Sequence, residues 1–250
     1  MALNIAGRTT VDEAEIARFN ALAARWWDDT GPMRPLHQIG PARLAFIRDQ
    51  VTAHFGISGD VPQPYAGLKM LDVGCAAGLV SEPLARLGAE VTGIDAALAN
   101  IGAAKAHAAQ SGLAITYHNM TAEGLALEGE TFDVVIALEI VEHVADVPLF
   151  MASLRQLLKP GGLLVMSTLN RTSKSFALAI LGAEYVLRWL PRGTHDWSKF
   201  ITPEELARHM EEAGLEPGER TGLRLDILTR RWVLSPDMGV NYLMAAGKPR

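Results

Sequence analysis

Leu71-Asp72-Val73-Gly74-Cys75-Ala76-Ala77-Gly78, followed by Glu90-Val91-Thr92-Gly93-Ile94-Asp95, reads as a strand, a glycine turn opening a helix, and a second strand. Working outward, the same alternation continues. A short apolar strand spans Lys69–Val73, a helix Leu79–Leu87, and an Ala-rich helix Leu98–Ser111. Further strands are expected at Ile115–His118, Phe132–Leu138 and Leu163–Leu169, with a helix over Val147–Leu158 and a turn at Lys159-Pro-Gly-Gly162. Strands alternating with helices at this spacing imply right-handed βαβ units and a parallel sheet covered on both faces. Residues 240–246 (VNYLMAA) look like a closing strand, which makes the sheet mixed at one edge.

Before this domain, Thr10-Val-Asp-Glu13 reads as a capping box for a helix running to Trp26-Trp27, and Gly31–Pro35 breaks it. A second helix is expected after Pro41. Residues 56–67 carry three glycines and two prolines and read as a linker. The expected organisation is a helical cover over 1–55, a linker over 56–67 and the main α/β domain over 68–250. A lid is expected at about 170–200. Beyond it, Thr202-Pro203-Glu204-Glu205 opens another helix with a capping box.

Length and composition set bounds. With 250 residues, 49% hydrophobic and 20% charged, the chain suits one large α/β domain with additions. A net charge of −5 argues against nucleic acid as a partner. Cys75 is the single cysteine, so a disulfide framework is excluded and a reducing, cytoplasmic compartment is expected. The N-terminus shows no secretory or transit pattern, and the longest apolar stretch, Phe176–Leu190, contains Glu184 and Arg188 and is too short to span a bilayer.

Open α/β sheets bind ligands at the carboxyl ends of their strands. Gly74 there lets a ligand approach the backbone, Gly78 lets the following helix pack close, and Asp95 ends the second strand where it can accept both hydroxyls of a ribose. No Gly-Lys-Ser/Thr follows, so a P-loop is excluded at this turn. The spacing Gly74-x-x-x-Gly78 is not that of a dinucleotide fingerprint. Asp72, two residues before the turn, would repel a pyrophosphate but attract an ammonium group. The charges therefore favour S-adenosylmethionine (SAM), a cation with a ribose, over NAD.

Glu139-Ile-Val-Glu142-His143 follows the fourth strand. On a helical turn, Glu139, Glu142 and His143 would share one face. Three readings remain open: a Mg²⁺-like ion held by all three, His143 as general base, or a structural pair without a chemical role. The loop His195-Asp196-Trp197 is a weaker candidate for substrate contact.

The runs LDVGCAAG, VTGID, FDVVIALEIVEHV, LLKPGG and STLNR resemble class I methyltransferases. RWWD (25–28), PLHQIGPARL (35–44), STLNRTSKS (167–175), GAEYVLRWLPRGTHDWSKFI (182–201) and VNYL (240–243) together resemble the ubiquinone-biosynthesis O-methyltransferase family over nearly the whole chain. The resemblance implies a Rossmann-like α/β fold with a mostly parallel seven-stranded sheet. It makes Arg43, Gly74, Asp95 and Leu138 cofactor-binding, beside Asp72 and Gly78 from the charge and turn arguments. It also implies a polyprenylated phenol or quinol substrate, peripheral contact with the inner face of the membrane, and association with other ubiquinone-synthesis enzymes. Ala76 and Ala77 depart from the glycine-rich loop usual in the family. The apolar 176–190 segment is the expected membrane contact. The alternatives are a methyltransferase of another small phenol, and a SAM-binding regulator without turnover.

Overall fold

The computed structural model describes residues 8–58, 61–177 and 196–250. The expected lid, with His195, falls mostly on 178–195 and so lies outside the described residues. The cover consists of α1 (Glu13–Leu22), a 3-10 turn (Ala23–Arg25) and α2 (Arg34–Phe55). The alternating region then runs β1 (Lys69–Val73), α3 (Ser81–Arg86), β2 (Glu90–Asp95), α4 (Leu98–Gln110), β3 (Thr116–Asn119) and α5 (Ala122–Glu128). It continues through β4 (Phe132–Leu138), α6 (Val147–Leu157), β5 (Leu158–Leu169) and a single turn, α7 (Ser173–Ser175). The chain ends with α8 (Pro203–Glu212), β6 (Glu216–Asp226), β7 (Arg231–Ser235) and β8 (Asn241–Gly247).

These strands form one sheet in the order β3-β2-β1-β4-β5-β8-β6-β7. β1 to β5 are parallel, β8 runs antiparallel to β5, and β6 runs antiparallel to β8. β6 therefore points the same way as β5. Successive side chains along the central strands are buried on opposite faces. Leu71, Val135, Leu164, Met166 and Met244 pack with α5, α6 and α8, while Met70, Val134, Ile136, Val165 and Ala245 pack with α2 and α3. Both faces are thus covered, as a parallel sheet requires.

Several expectations change. The sheet has eight strands rather than seven, because Arg231–Ser235 pairs back on β6 as an edge strand. Thr10 does not cap α1; its N–H and hydroxyl both donate to buried Glu123, at 2.7 and 2.9 Å, and Asp12 accepts from the N–H groups of Ala14 and Glu15 instead. α2 starts at Arg34, with Pro35 in the first helical positions, where a missing N–H costs nothing, and Pro41 sits inside it. Lys159–Gly162 is absorbed into β5. The stretch expected as a linker is anchored where it is described: Tyr65 is fully buried and its N–H donates to the Leu87 carbonyl at 3.0 Å. At Thr202 the capping box forms as read, with Glu205 closing it.

The cover is tied to the glycine turn. The Trp27 indole donates to the Ala77 carbonyl at 3.0 Å and stacks on His107 with ring centroids 3.5 Å apart. His107 Nδ1 is 2.5 Å from buried Glu82. Trp27 thus clamps the cover onto the glycine turn and α4.

Candidate active site

A cavity of about 300 Å³ opens at the carboxyl edge of the sheet, between the strands and the N-terminal cover. It is lined by Arg43, Asp72, Gly74, Asp95, Leu138, Glu139, Glu142 and His143, so the structure brings nearly every expected site residue to one space. Gly78 is the exception. It lies outside the lining; at φ +89° a Cβ there would meet the Tyr117 hydroxyl at 2.4 Å, so this glycine makes room for packing.

Gly74 adopts φ +70°, and a Cβ would fall 2.3 Å from the Ile140 side chain. Its N–H and that of Cys75 both donate to the Ile94 carbonyl, at 2.8 and 3.0 Å, which folds the turn over the end of β2. Ala76 is also left-handed, at φ +47°, which is uncommon for a residue with a Cβ. That conformation aims its N–H at Asp95 Oδ2, 2.9 Å away. The Ala97 N–H donates to Asp95 Oδ1 at 2.8 Å. Asp95 is therefore fixed by the backbone on both sides, and burial nevertheless raises its pKa. Cys75 is buried, and burial pushes its thiol well up, which leaves it unreactive.

Asp72 is buried and accepts from the Ser81 hydroxyl at 2.6 Å. Desolvation raises its pKa to about 6 against the pull of Ser81, and the charge of Asp95 adds to the rise. No ion pair reaches either carboxylate among the described residues. The cavity thus holds an uncompensated acidic end, which suits a cationic ligand.

At the far end of β4, Glu139 takes a left-handed conformation (φ +50°) and Val141–His143 forms a 3-10 turn. This is not the α-helical turn expected, so Glu139, Glu142 and His143 do not share one helical face. Each has its own partner. Glu139 pairs with Arg43 at 2.9 Å and accepts from Ser167 at 2.7 Å. Glu142 accepts from Thr168 at 2.9 Å, while its Oε1 is buried with no partner. His143 Nδ1 lies 2.9 Å from Glu15, on α1. Desolvation raises the Glu142 pKa to about 7, with the Glu139 charge adding to it. Burial works to depress His143, but the hydrogen bond that its ring donates to Glu15 and the charges of Glu142 and Glu15 outweigh it, and the net shift is upward.

Among the described residues no three His, Cys, Asp or Glu side chains are gathered in a metal-holding group. The donor set at 139–143 nevertheless suits a hard divalent cation in kind, with an imidazole and two carboxylates, one of which keeps an orphaned buried oxygen.

Two residues at the site escaped the sequence reading. Asn100 lines the cavity and extends its amide towards both oxygens of Asp95, and Glu15 holds His143. An asparagine in the first turn of the helix that follows Asp95 is the available signal for Asn100. Nothing in the sequence marked Glu15.

A methyltransferase-domain family matches residues 42–219. The chain is 54% identical over 243 residues to a ubiquinone biosynthesis O-methyltransferase of Cereibacter sphaeroides, covering 97% of this chain and 98% of that protein. It is 52% identical to a protein of the same name from Sinorhizobium fredii, again covering 97% of this chain and 98% of the relative. Among solved structures, a SAM-dependent methyltransferase from Clostridium acetobutylicum superposes with a TM-score of 0.64 at 11% identity, covering 93% of this chain and all of that one. Magnesium protoporphyrin IX methyltransferase from Synechocystis with S-adenosylhomocysteine bound gives 0.60 at 18%, covering 94% and 99%. At such identities the structures speak for the fold alone.

Proposed function

Since the chain belongs to the ubiquinone biosynthesis O-methyltransferase family, we propose that its cavity holds SAM against the acidic strand ends and methylates phenolic hydroxyls of polyprenyl-catechol intermediates. These intermediates are the 2-polyprenyl-6-hydroxyphenol and the 3-demethylubiquinol. The chain is a SAM-dependent O-methyltransferase of ubiquinone biosynthesis. The observation that carries the assignment of roles is the pair of carboxylates without an ion pair among the described residues, buried Asp72 and half-buried Asp95, in the same cavity as Glu139, Glu142 and His143.

When bound, SAM supplies an electrophilic methyl group, whose transfer to a phenolic oxygen leaves a neutral sulfur and releases one proton. Asp95, fixed by Ala76 and Ala97, offers its remaining lone pairs to the ribose hydroxyls. Asp72 favours the positive charge of the ligand, and Gly74 keeps the approach to the backbone open. Leu138 flanks the cofactor, and Arg43 has a buried Nε without a partner and so a donor to spare for it. Holding the acceptor oxygen in line with the methyl group supplies much of the rate, since effective molarities for oriented groups are large.

The released proton needs an acceptor. His143 suits that role: Glu15 occupies Nδ1, which orients the ring and leaves Nε2 for the phenol. A second reading is favoured by the orphaned Oε1 of Glu142 beside Glu139. In it, Glu139, Glu142 and His143 hold Mg²⁺, with Arg43 and Glu15 giving way. Bound there, the ion would lower the pKa of the catechol hydroxyl.

No described helix is long and apolar enough to cross a membrane. A polyprenyl tail still has to be collected from a bilayer, and peripheral contact through the 170–200 region, together with association with other enzymes of the pathway, belongs to this proposal. Mass spectrometry of quinone intermediates in cells lacking the protein tests it. Unmethylated catechols should accumulate; a normal intermediate profile rejects the substrate.

A further inference from the structure

The hairpin joining β6 to β7 has an unusual tip. Ile227 is 84% exposed and Leu228 95%, with Leu225 beside them at 46%. Ile227 and Leu228 are the most exposed large apolar side chains among the described residues. Arg224, Arg230 and Arg231 surround them, all exposed and none in an ion pair among the described residues, against the single acid Asp226. Isolated exposed leucines need no explanation, but adjacent ones ringed by unpaired arginines on a projecting loop do.

The topology says where this tip points. β6 runs parallel to β5, so its C-terminal end lies at the carboxyl edge of the sheet, the edge that carries the cavity. The register makes this quantitative. Gly222 pairs with Tyr242, which pairs with Thr168, one residue before β5 ends. Leu223–Asp226 then continue for roughly 13 Å at the usual rise per residue. β7 returns against α2, whose Leu36, Gly40, Arg43 and Leu44 line the cavity. The tip thus stands out from the side of the molecule on which the active site opens. Phe176 and Trp197, which bracket the undescribed 178–195 stretch, follow β5 on that same edge; both are exposed and their rings meet edge to face.

We infer that the Leu225–Arg231 tip is a membrane-docking wedge, in which Ile227 and Leu228 enter the headgroup region of an anionic bilayer and Arg224, Arg230 and Arg231 bind lipid phosphates. Apolar side chains of this kind gain by leaving water, and basic residues within a Debye length of an anionic leaflet add attraction that salt weakens. The wedge would set the cavity mouth towards the bilayer that carries a prenylated acceptor. In that respect the inference rests on the proposed substrate, but its test does not. The occupant fits an anionic lipid surface better than a protein, because the arginines form a ring of one sign around a convex apolar point and no complementary groove is offered.

The test uses the full chain with vesicles of phosphatidylcholine alone or mixed with phosphatidylglycerol, read by flotation. Wild type should float with the mixed vesicles at low salt and less at high salt. The pair Ile227→Glu and Leu228→Glu should lose about tenfold or more in partitioning. The pair Arg230→Gln and Arg231→Gln should lose binding to the mixed vesicles while leaving any residual binding to phosphatidylcholine unchanged. A fluorophore sensitive to polarity, attached at Leu228→Cys, should shift to the blue on adding mixed vesicles; Cys75, the native thiol, is buried and does not compete. Methylation of a water-soluble catechol should be equal in all variants, which reports on the fold and on the proposed reaction separately from docking. Flotation of the glutamate pair at the wild-type level, or a label at 228 that stays in water on vesicles, overturns the wedge and leaves the 170–200 region as the membrane contact. Failure of wild type to float, with the tip variants instead changing elution volume, overturns it in favour of a protein interface.

Discussion

The indole N–H of Trp26 donates to Oδ1 of Asn100 at 2.9 Å, and the two residues are 74 positions apart in the chain. Asn100 then turns its amide towards both oxygens of Asp95, at 3.4 Å each. The N-terminal cover is therefore in contact, through one side chain, with the carboxylate proposed to receive the ribose. Closing the cover and orienting Asp95 are parts of the same packing event.

Replacing Trp26 by Phe should test this coupling. The apolar contact survives while Asn100 Oδ1, in a side chain 1% exposed, loses its donor. An unsatisfied buried acceptor costs about 1–3 kcal/mol, so SAM affinity should fall by roughly five- to a hundredfold as the amide reorients. Calorimetric titration measures it. An unchanged dissociation constant would detach the cover from the cofactor site.

Asp95→Ala removes the acceptor of the Ala76 and Ala97 N–H groups as well as the ribose contacts. Two charge-assisted hydrogen bonds to a ribose are worth about 1.5–3 kcal/mol each, so affinity for SAM should drop by at least a hundredfold. Asp95→Asn keeps the size and should lose less. Equal losses in the two variants would mean that the charge plays no part.

The sequence made Asp72, Gly74 and Asp95 legible because strand ends and a glycine turn are local features, and the charge of a carboxylate can be weighed without knowing its neighbours. Asn100 and Glu15 were not legible for the opposite reason. Their importance comes from partners brought in by the cover, across 74 residues to Trp26 and 128 to His143. The extra strand β7 was hidden because the turn before it carries neither glycine nor proline and is tipped with Ile227 and Leu228, so it does not look like a turn. The second helix, expected after Pro41, starts at Arg34 because Pro35 in the Gly31–Pro35 stretch opens a helix as well as breaking the one before it. At Glu139 the helical spacing argument failed on a single left-handed residue, which no pattern of residue types announces.

Asp72 gives a pH dependence with a definite sign. Its folded pKa of about 6 lies above the ordinary value of 3.8. Between those two pH values the folded protein carries a proton that the unfolded chain lacks. This group therefore favours the folded state more as pH falls through 6, the gain being complete below about 3.8, and it costs on the order of 3 kcal/mol above pH 6. A cationic ligand reverses the preference, since it favours the ionised form. SAM should accordingly bind more tightly as pH rises through about 6. Asp72→Asn, which can still accept from Ser81, should raise the melting temperature of the free protein at pH 8, weaken SAM binding and flatten its dependence on pH. Thermal unfolding and calorimetry at pH 5, 6, 7 and 8 measure both; a variant less stable than wild type at pH 8 contradicts the assignment.

The trio at 139–143 can be resolved because its two uses differ in what restores them. Glu142 keeps one oxygen buried without a partner, and Glu139 raises its pKa further, so a divalent cation would relieve two unfavourable terms together. We expect turnover of a catechol to fall in chelator and to return with Mg²⁺, and Glu142→Gln to need a higher Mg²⁺ concentration for half-maximal rate. SAM affinity should stay near wild type in both cases, because Asp95 and Asp72 sit at other strand ends. His143→Ala should lower kcat by about 10²–10⁴ on either reading, so that variant alone decides nothing. The decisive comparison is the wild-type rate in chelator. Full activity there removes the ion, and it leaves His143, steadied by Glu15 at 2.9 Å, as the group that takes the phenolic proton.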